Sequence, residues 1–213
     1  MLVAWANPTA AIQRMPGRDP RVRELAVGHL ILASASPQRR AILEQAGIPF
    51  EVRVSGVAEE TAGDPAWVAE ENARRKALAV AAGAGTALVL GADTDVALDG
   101  HILGKPGDEE AARRFLARLS GRTHEVVGGI ALAWGGELLA TAVERTAVTF
   151  RSLDRATLEW YVRSREWEGR AGGYAIQGRG AVLITEIRGD YLNVVGLPLA
   201  RLLELRPELL PTA

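Results

Sequence analysis

The sequence predicts an α/β fold organised on a mixed, twisted sheet with flanking helices. In its first half, short apolar runs alternate with well-capped helical segments, the order from which parallel sheets are built. In its second half, Thr123–Trp134 and Glu137–Phe150 flank Gly135-Gly136, the pattern of a long β-hairpin. Long antiparallel strands beside βα units point to a mixed sheet rather than a purely parallel one. At 213 residues the chain can form one sizeable domain or two small lobes sharing a cleft.

The first 28 residues contain prolines, arginines and no sustained periodicity, and read as a flexible extension. Regular structure is expected from His29-Leu30-Ile31-Leu32-Ala33, a short buried strand. A helix follows, with Ser36 as N-cap, Pro37 in the first turn and Gly47 as its stop. Phe50 to Val54 alternates as a strand and leads into a loop holding Glu59 and Glu60. Asp64-Pro65 opens a helix to about Ala82, with Ala69, Ala73, Lys76, Ala77 and Val80 on its inner stripe. Ala87-Leu88-Val89-Leu90 reads as a buried strand that stops on Gly91-Ala92-Asp93-Thr94, and Asp99-Gly100 as a turn.

Asp108 is expected to cap a helix over Glu109–Leu119, and Ser152 another to about Arg163, with Trp160 and Tyr161 in the core. Gly169–Gly180 is a glycine-rich loop whose backbone can approach another group closely. It is not a Walker A loop, because no Gly-Lys-Ser/Thr ending and no helix follow it. Ala181–Ile187 reads as a strand, Tyr191–Val195 as extended, and Leu197-Pro198 as the start of a helix to about Leu205. Residues 29–207 therefore read as one catalytic-sized domain and 208–213 as a tail.

Twenty-five basic residues against 26 acidic ones leave no global field that would argue for nucleic acid or a membrane surface. Without cysteine there can be no disulfide, thiolate metal site or cysteine nucleophile, which suits the reducing cytoplasm. Three scattered histidines argue against a histidine-built zinc site.

The candidate chemistry lies at strand ends. Asp93 arrives just after an apolar run, where ligands of open α/β sheets sit. With Lys105 in the same strand-turn unit, it suits a metal-bound phosphate substrate; an acidic strand end with a solvated lysine is the plainer alternative. The helix N-terminus at Ser36 offers free N–H groups to an anion, and Arg39 and Arg40 lie in its first turn, either for that anion or solvated. Lys76, among alanines, either snorkels past them or reaches a polar cavity.

Read together, the motifs resemble the Maf family of nucleoside triphosphate pyrophosphatases. The matching pieces are LASASPQRRAIL (Leu32–Leu43), SGVAE (Ser55–Glu59), ARRKA (Ala73–Ala77), LGADTDV (Leu90–Val96) and ILGKP (Ile102–Pro106). LSGRTHEV (Leu119–Val126), AGGYAIQG (Ala171–Gly178) and GDYLNVVGLPL (Gly189–Leu199) continue the same order. The resemblance implies metal-dependent cleavage of the α–β phosphate bond of a nucleoside triphosphate, releasing pyrophosphate. It also implies two lobes around a central cleft and, commonly, a homodimer.

By the same resemblance Asp93 matches the proton acceptor, and Glu59 with Asp93 the ligands of Mg²⁺ or Mn²⁺. Arg39, Lys76 and Lys105 match the phosphate-binding cations, with Ser34 and Ser36 adding donors. Gln38, Thr94 and Gln177 match the base-selecting positions, where the dTTP/UTP subgroup has Arg, Thr and Gln and the 7-methyl-GTP subgroup Trp, Gln and Glu. Two of the three favour pyrimidines; Gln38 departs from both patterns and brings no charge. Other readings are the same reaction on another base, or a non-catalytic nucleotide-binding regulator of cell division. The chain also departs from the family at SGVAE, which lacks two carboxylates of the usual loop, and at Asp95, where the family is apolar. Alternation places Asp95 on the Asp93 face, either compensating at the metal shell or exposed beyond the strand's end.

Overall fold

The structure is a computed structural model that describes residues 29–210; the expected extension over 1–28 and the last tail residues lie outside the described residues. A seven-stranded mixed sheet runs in the order β2-β1-β3-β5-β6-β7, with the short β4 also paired to β3. The strands are β1 (Leu30–Leu32), β2 (Phe50–Val52), β3 (Leu88–Leu98), β4 (His101–Leu103), β5 (Thr123–Trp134), β6 (Glu137–Phe150) and β7 (Ile184–Arg188). β1 is parallel to both β2 and β3, and every other pairing is antiparallel. The helices are α1 (Pro37–Gln45), α2 (Pro65–Ala81), α3 (Glu109–Leu119), α4 (Arg155–Arg163), α5 (Tyr191–Val195) and α6 (Leu199–Leu205).

Strand β3 is the spine, and its length corrects the sequence reading. It does not stop at Gly91 but continues to Leu98, because β5 pairs with it from Val89 to Ala97. What does stop near Leu90 is its parallel neighbour: Ala33 makes the last backbone bond, to the Leu90 carbonyl, at 2.8 Å. On the same edge β4 pairs only with Val96–Leu98. The edge of β3 from Gly91 to Asp95 is therefore left open between β1 and β4, so Asp93 lies beyond the carboxyl end of a parallel strand while in mid-strand itself.

Alternation along β3 separates the core. Val89 packs with Ala73, Ala77 and Ala81 of α2. Leu88, Leu90 and Ala92 face the other way, onto Ile42 and Leu43 of α1 and Leu202 of α6. Val96 and Leu98 join a third cluster with Leu116, Phe150, Tyr161 and Tyr174. These last two clusters are the apolar hearts of two lobes, and Thr94 falls between them.

Helix α2 lies unusually close to the sheet. A Cβ at Gly91 would come within 2.1 Å of the Ala73 carbonyl, and one at Gly129 within 2.2 Å of the Ala69 carbonyl. Gly129 is also the residue opposite Asp93 in the β3–β5 register. Glycine on the strands and alanine on the helix thus bring the α2 backbone down beside Asp93.

Several local expectations are corrected. Asp154, not Ser152, caps α4, accepting from the Thr157 N–H, because its shorter reach to N3 suits the helix that begins at Arg155. Tyr161 is fully buried, but Trp160 is 37% exposed with the Arg179 guanidinium over its ring, so only one of the pair is core. Gly178–Leu183 forms a 3₁₀ turn, and β7 begins only at Ile184 because its β6 partner ends at Phe150. Tyr191–Val195 is helical rather than extended: Asp190 accepts from the Leu192 N–H as N-cap, and Gly196 ends the turn.

Candidate active site

One cleft of about 810 Å³ lies at the open edge of β3 between the two lobes. Its lining includes Ser34, Ser36, Gln38 and Arg39, with Glu59, Lys76, Asp93 and Thr94, and with Lys105 and Gln177. They arrive from the β1–α1 segment, the loop after β2, α2, β3, the turn after β4 and the glycine-rich segment. Arg40 stays exposed, which is the solvated outcome for that residue.

On the α2 side of β3, Lys76 reaches the polar cavity rather than solvent. Its Nζ donates to Asp93 Oδ1 at 2.7 Å and to Glu59 Oε1 at 2.5 Å. Both Lys76 and Asp93 are buried, at 7% exposure each. Burial alone would push the Glu59 carboxyl upward; the bond from Lys76 and the charges of Lys76, Lys105 and Arg39 outweigh it and hold the group below its ordinary value. Lys105 is largely exposed and stands 3.8 Å from Glu59 Oε2, at the mouth of the cleft.

On the opposite side of β3 sits Arg39, buried in the first turn of α1. Its Nε donates to the Gly196 carbonyl at 2.8 Å, one terminal nitrogen to Ser34 Oγ at 2.9 Å and the other to Thr94 Oγ1 at 3.1 Å. Each partner is neutral. Burial lowers the guanidinium's pKa, while the fields of Asp93, Glu59 and Asp95 pull it back up. A buried cation with no ion pair among the described residues, beside a helix N-terminus, is electrostatically incomplete without an anion. Ser36 caps α1, its Oγ accepting from the Arg39 N–H at 3.4 Å and donating to Gln38 Oε1 at 3.3 Å.

Thr94, chosen from the sequence as a base-selecting position, spends its hydroxyl differently. Oγ1 accepts from Arg39 and donates to the Gly196 carbonyl at 3.1 Å. Gln177 is exposed at the rim on the glycine-rich segment.

Asp95 is neither exposed beyond a strand end nor part of the cleft lining. It lies within β3, half-buried, and its Oδ2 has no hydrogen-bond partner. Burial first, then the nearby Asp93 and Glu59 charges, push its carboxyl up to about 7. Among the described residues no three of His, Cys, Asp and Glu gather as a metal-ligand group.

Asn72, absent from the sequence-derived set, belongs to this site. It is 2% exposed and its Nδ2 donates to Asp93 Oδ2 at 3.0 Å. The signal was available: Asn72 lies four residues before Lys76, hence on the same face of α2, a polar residue in a stripe of alanines.

Comparison with known proteins shows the family. A family model described as Maf-like protein matches residues 29–208. A dTTP/UTP pyrophosphatase of Symbiobacterium thermophilum is 51% identical over 178 residues, 83% of this chain and 91% of the relative. The dTTP/UTP pyrophosphatase of Deinococcus radiodurans is 49% identical over 178 residues, 83% of this chain and 90% of the relative. A HAM1 protein from Coxiella burnetii is more distant, with a TM-score of 0.43 and 18% identity over 61% of this chain and 76% of that one. With a family model that spans nearly all of the described chain, and relatives at about half identity along it, the chain belongs to the Maf-like protein family.

Proposed function

We propose that this chain hydrolyses the α–β phosphate bond of dTTP and UTP to give the nucleoside monophosphate and pyrophosphate. The observation that carries this reading is the meeting, in one cleft, of a buried guanidinium with only neutral partners and a buried carboxylate held by two N–H donors. The first calls for a polyanion; the second is a base fixed beside it. The curated relatives' pyrimidine substrates support the choice of base.

In this mechanism Arg39, Lys76 and Lys105 neutralise the triphosphate, with Ser34 and Ser36 as further donors. Water adds to phosphorus, the bridging P–O bond breaks, pyrophosphate departs, and one proton passes from the water to Asp93. Asp93 Oδ1 accepts from Lys76 and Oδ2 from Asn72. Each oxygen has a second lone pair, so the carboxylate is oriented without being used up.

Glu59 and Asp93 would hold a hard divalent cation such as Mg²⁺ or Mn²⁺, because both are carboxylates of the one cleft and each keeps lone pairs beyond the bond from Lys76. When bound, the ion would sharpen the attack of water and offset phosphate charge. Mg²⁺ is commonly held by one or two carboxylates together with substrate phosphates, so these two would suffice. Gln38 and Gln177, with Thr94, would set the choice of base, the two glutamines through amide groups that offer a donor and an acceptor. The cysteine-free chain suits a cytoplasmic enzyme.

Pyrophosphate release should be measured across natural and modified triphosphates with Mg²⁺ and with Mn²⁺. dTTP and UTP are expected to head the panel. Preference for a purine, 7-methyl-GTP included, would overturn the base assignment. No hydrolysis with either metal would overturn the enzymatic reading in favour of nucleotide-binding regulation.

A further inference from the structure

The loop Ser55–Ala62 brings Glu59 to the cleft, yet it makes no backbone–backbone hydrogen bond among the described residues. Its polar tethers come instead from one face of α2, at positions 72, 75 and 76. Asn72 Oδ1 accepts from the Glu60 N–H at 2.7 Å, and its Nδ2 donates to the Glu60 carbonyl at 2.9 Å. The side-chain amide thus pairs with both backbone groups of a single residue, as a neighbouring strand would. Arg75 donates to Glu60 Oε1 at 2.6 Å and to the Ala58 carbonyl at 3.4 Å. Lys76 donates to Glu59 itself.

Asn72 alone of the three holds the loop by its backbone and also touches Asp93. Its three partners define the amide's orientation: a backbone N–H requires Oδ1, while a carbonyl and a carboxylate both require Nδ2. Flipping the amide would set oxygen against two acceptors in a buried site. Neither aspartate nor leucine can reproduce this set: aspartate brings no N–H and adds a charge beside Asp93, and leucine offers no polar atom. The same group therefore sets the position of Glu59, one residue away along the loop, and the direction of the Asp93 carboxylate.

We propose that Asn72 is a positioning residue for the hydrolytic step, clasping the Glu59 loop and the base Asp93 into one rigid unit while making no contact with the nucleotide. This rests on the pyrophosphatase reading for its kinetic consequence, but the clasp itself is testable without turnover. Preorganisation of a base contributes to rate rather than to substrate affinity, so the effect should fall on kcat.

The test compares Asn72→Ala, Asn72→Asp and Arg75→Ala with the parent enzyme, on the triphosphate the parent hydrolyses best. Asn72→Ala is expected to lower kcat at least tenfold, with KM and the binding of a non-hydrolysable α,β-imido triphosphate each within threefold. Exchange of the Glu60 amide hydrogen should accelerate at least tenfold in the same variant. Asn72→Asp, equal in shape, keeps one acceptor and loses both donor contacts, and should lose at least as much kcat. Arg75→Ala loosens the loop without touching Asp93 and should cost distinctly less kcat than Asn72→Ala. Circular dichroism at the assay temperature establishes that each variant is folded; should Asn72→Ala not fold, Asn72→Asp decides by the same measures. A folded Asn72 variant with kcat within threefold of the parent, or losses equal to those of Arg75→Ala, would overturn the proposal. If the parent hydrolysed no triphosphate, the functional reading would fail by itself, and unchanged Glu60 exchange in Asn72→Ala would separately overturn the clasp.

Discussion

On one face of β3, Asp93 meets Lys76 and Asn72 of α2, and each of its carboxylate oxygens accepts a hydrogen bond. On the other face, one residue along, Thr94 meets Arg39, whose guanidinium is buried and answered only by a hydroxyl pair and a carbonyl. Adjacent residues of a strand point to opposite sides, so both arrangements flank the same open edge. The difference is one of readiness. On the α2 face the Asp93 carboxylate is already held, as a catalytic group in place would be. The α1 face is unfinished and gains most from the arrival of an anion.

If that contrast is right, variants on the two faces should fail in different ways. The largest effect is expected from Asp93→Asn, which keeps the shape but removes the base. Hydrolysis should fall by roughly 10²–10⁴-fold, while binding of the non-hydrolysable triphosphate stays within a few-fold. Equal loss of binding and rate would erase the distinction between the faces. Next in size, Arg39→Met should raise KM for the triphosphate more than tenfold, and Arg39→Lys should not restore it, because an ammonium cannot hold Ser34, Thr94 and Gly196 together. A change in kcat alone, with KM intact, would move Arg39 to the other class.

Thr94→Val sharpens the comparison further. It removes a hydroxyl that holds Arg39, a net loss of about 1 kcal/mol by the usual worth of such bonds, so KM should rise several-fold for dTTP and UTP alike. If Thr94 instead reads the base directly, the ratio between dTTP and a purine triphosphate would change while KM for both did not rise together.

The smallest and most distant effect lies in the second lobe. His124 is 2% exposed, edge-on to Phe150 and Tyr174, with Nε2 2.8 Å from the Tyr174 hydroxyl and Nδ1 unpaired. Burial draws its pKa down to about 4 from 6.5, so the folded state holds it neutral. Between those values the unfolded chain binds more protons than the folded one, and stability falls as pH drops. The penalty is absent above 6.5 and reaches roughly 3 kcal/mol once both states are protonated. Urea midpoints at pH 7 and pH 4.5 should therefore fall further for the parent than for His124→Phe; parallel slopes would show that His124 carries no such penalty.

Much of this molecule was legible in its sequence. The capped helix at Ser36-Pro37, the inner stripe of α2 and the Gly135-Gly136 hairpin are local patterns, and local sterics and capping decide them. The motifs also nominated ten residues that the cleft gathers, though not Asn72, which joins them through Asp93. Failures came where a group outside the stretch overrules its own pattern. Gly91 reads as a strand end, yet β5 carries the strand on to Leu98. Tyr191–Val195 reads as extended, yet Asp190 caps a short helix whose Gly196 carbonyl Arg39 needs.

What the sequence by itself determined, then, is the set of chemical groups and the elements that carry them, because period, caps and turn residues act over a few positions. Only the tertiary structure decided their pairing. It ended β1 beside Leu90, leaving an open edge at Asp93, and it lowered α2 onto Gly91 and Gly129 until Asn72 and Lys76 could reach that carboxylate. It also aimed Thr94 at Arg39 and withheld Asp95 from the cleft. Those outcomes depend on which backbones approach within hydrogen-bond distance across the fold, and no local stretch of chain contains that information.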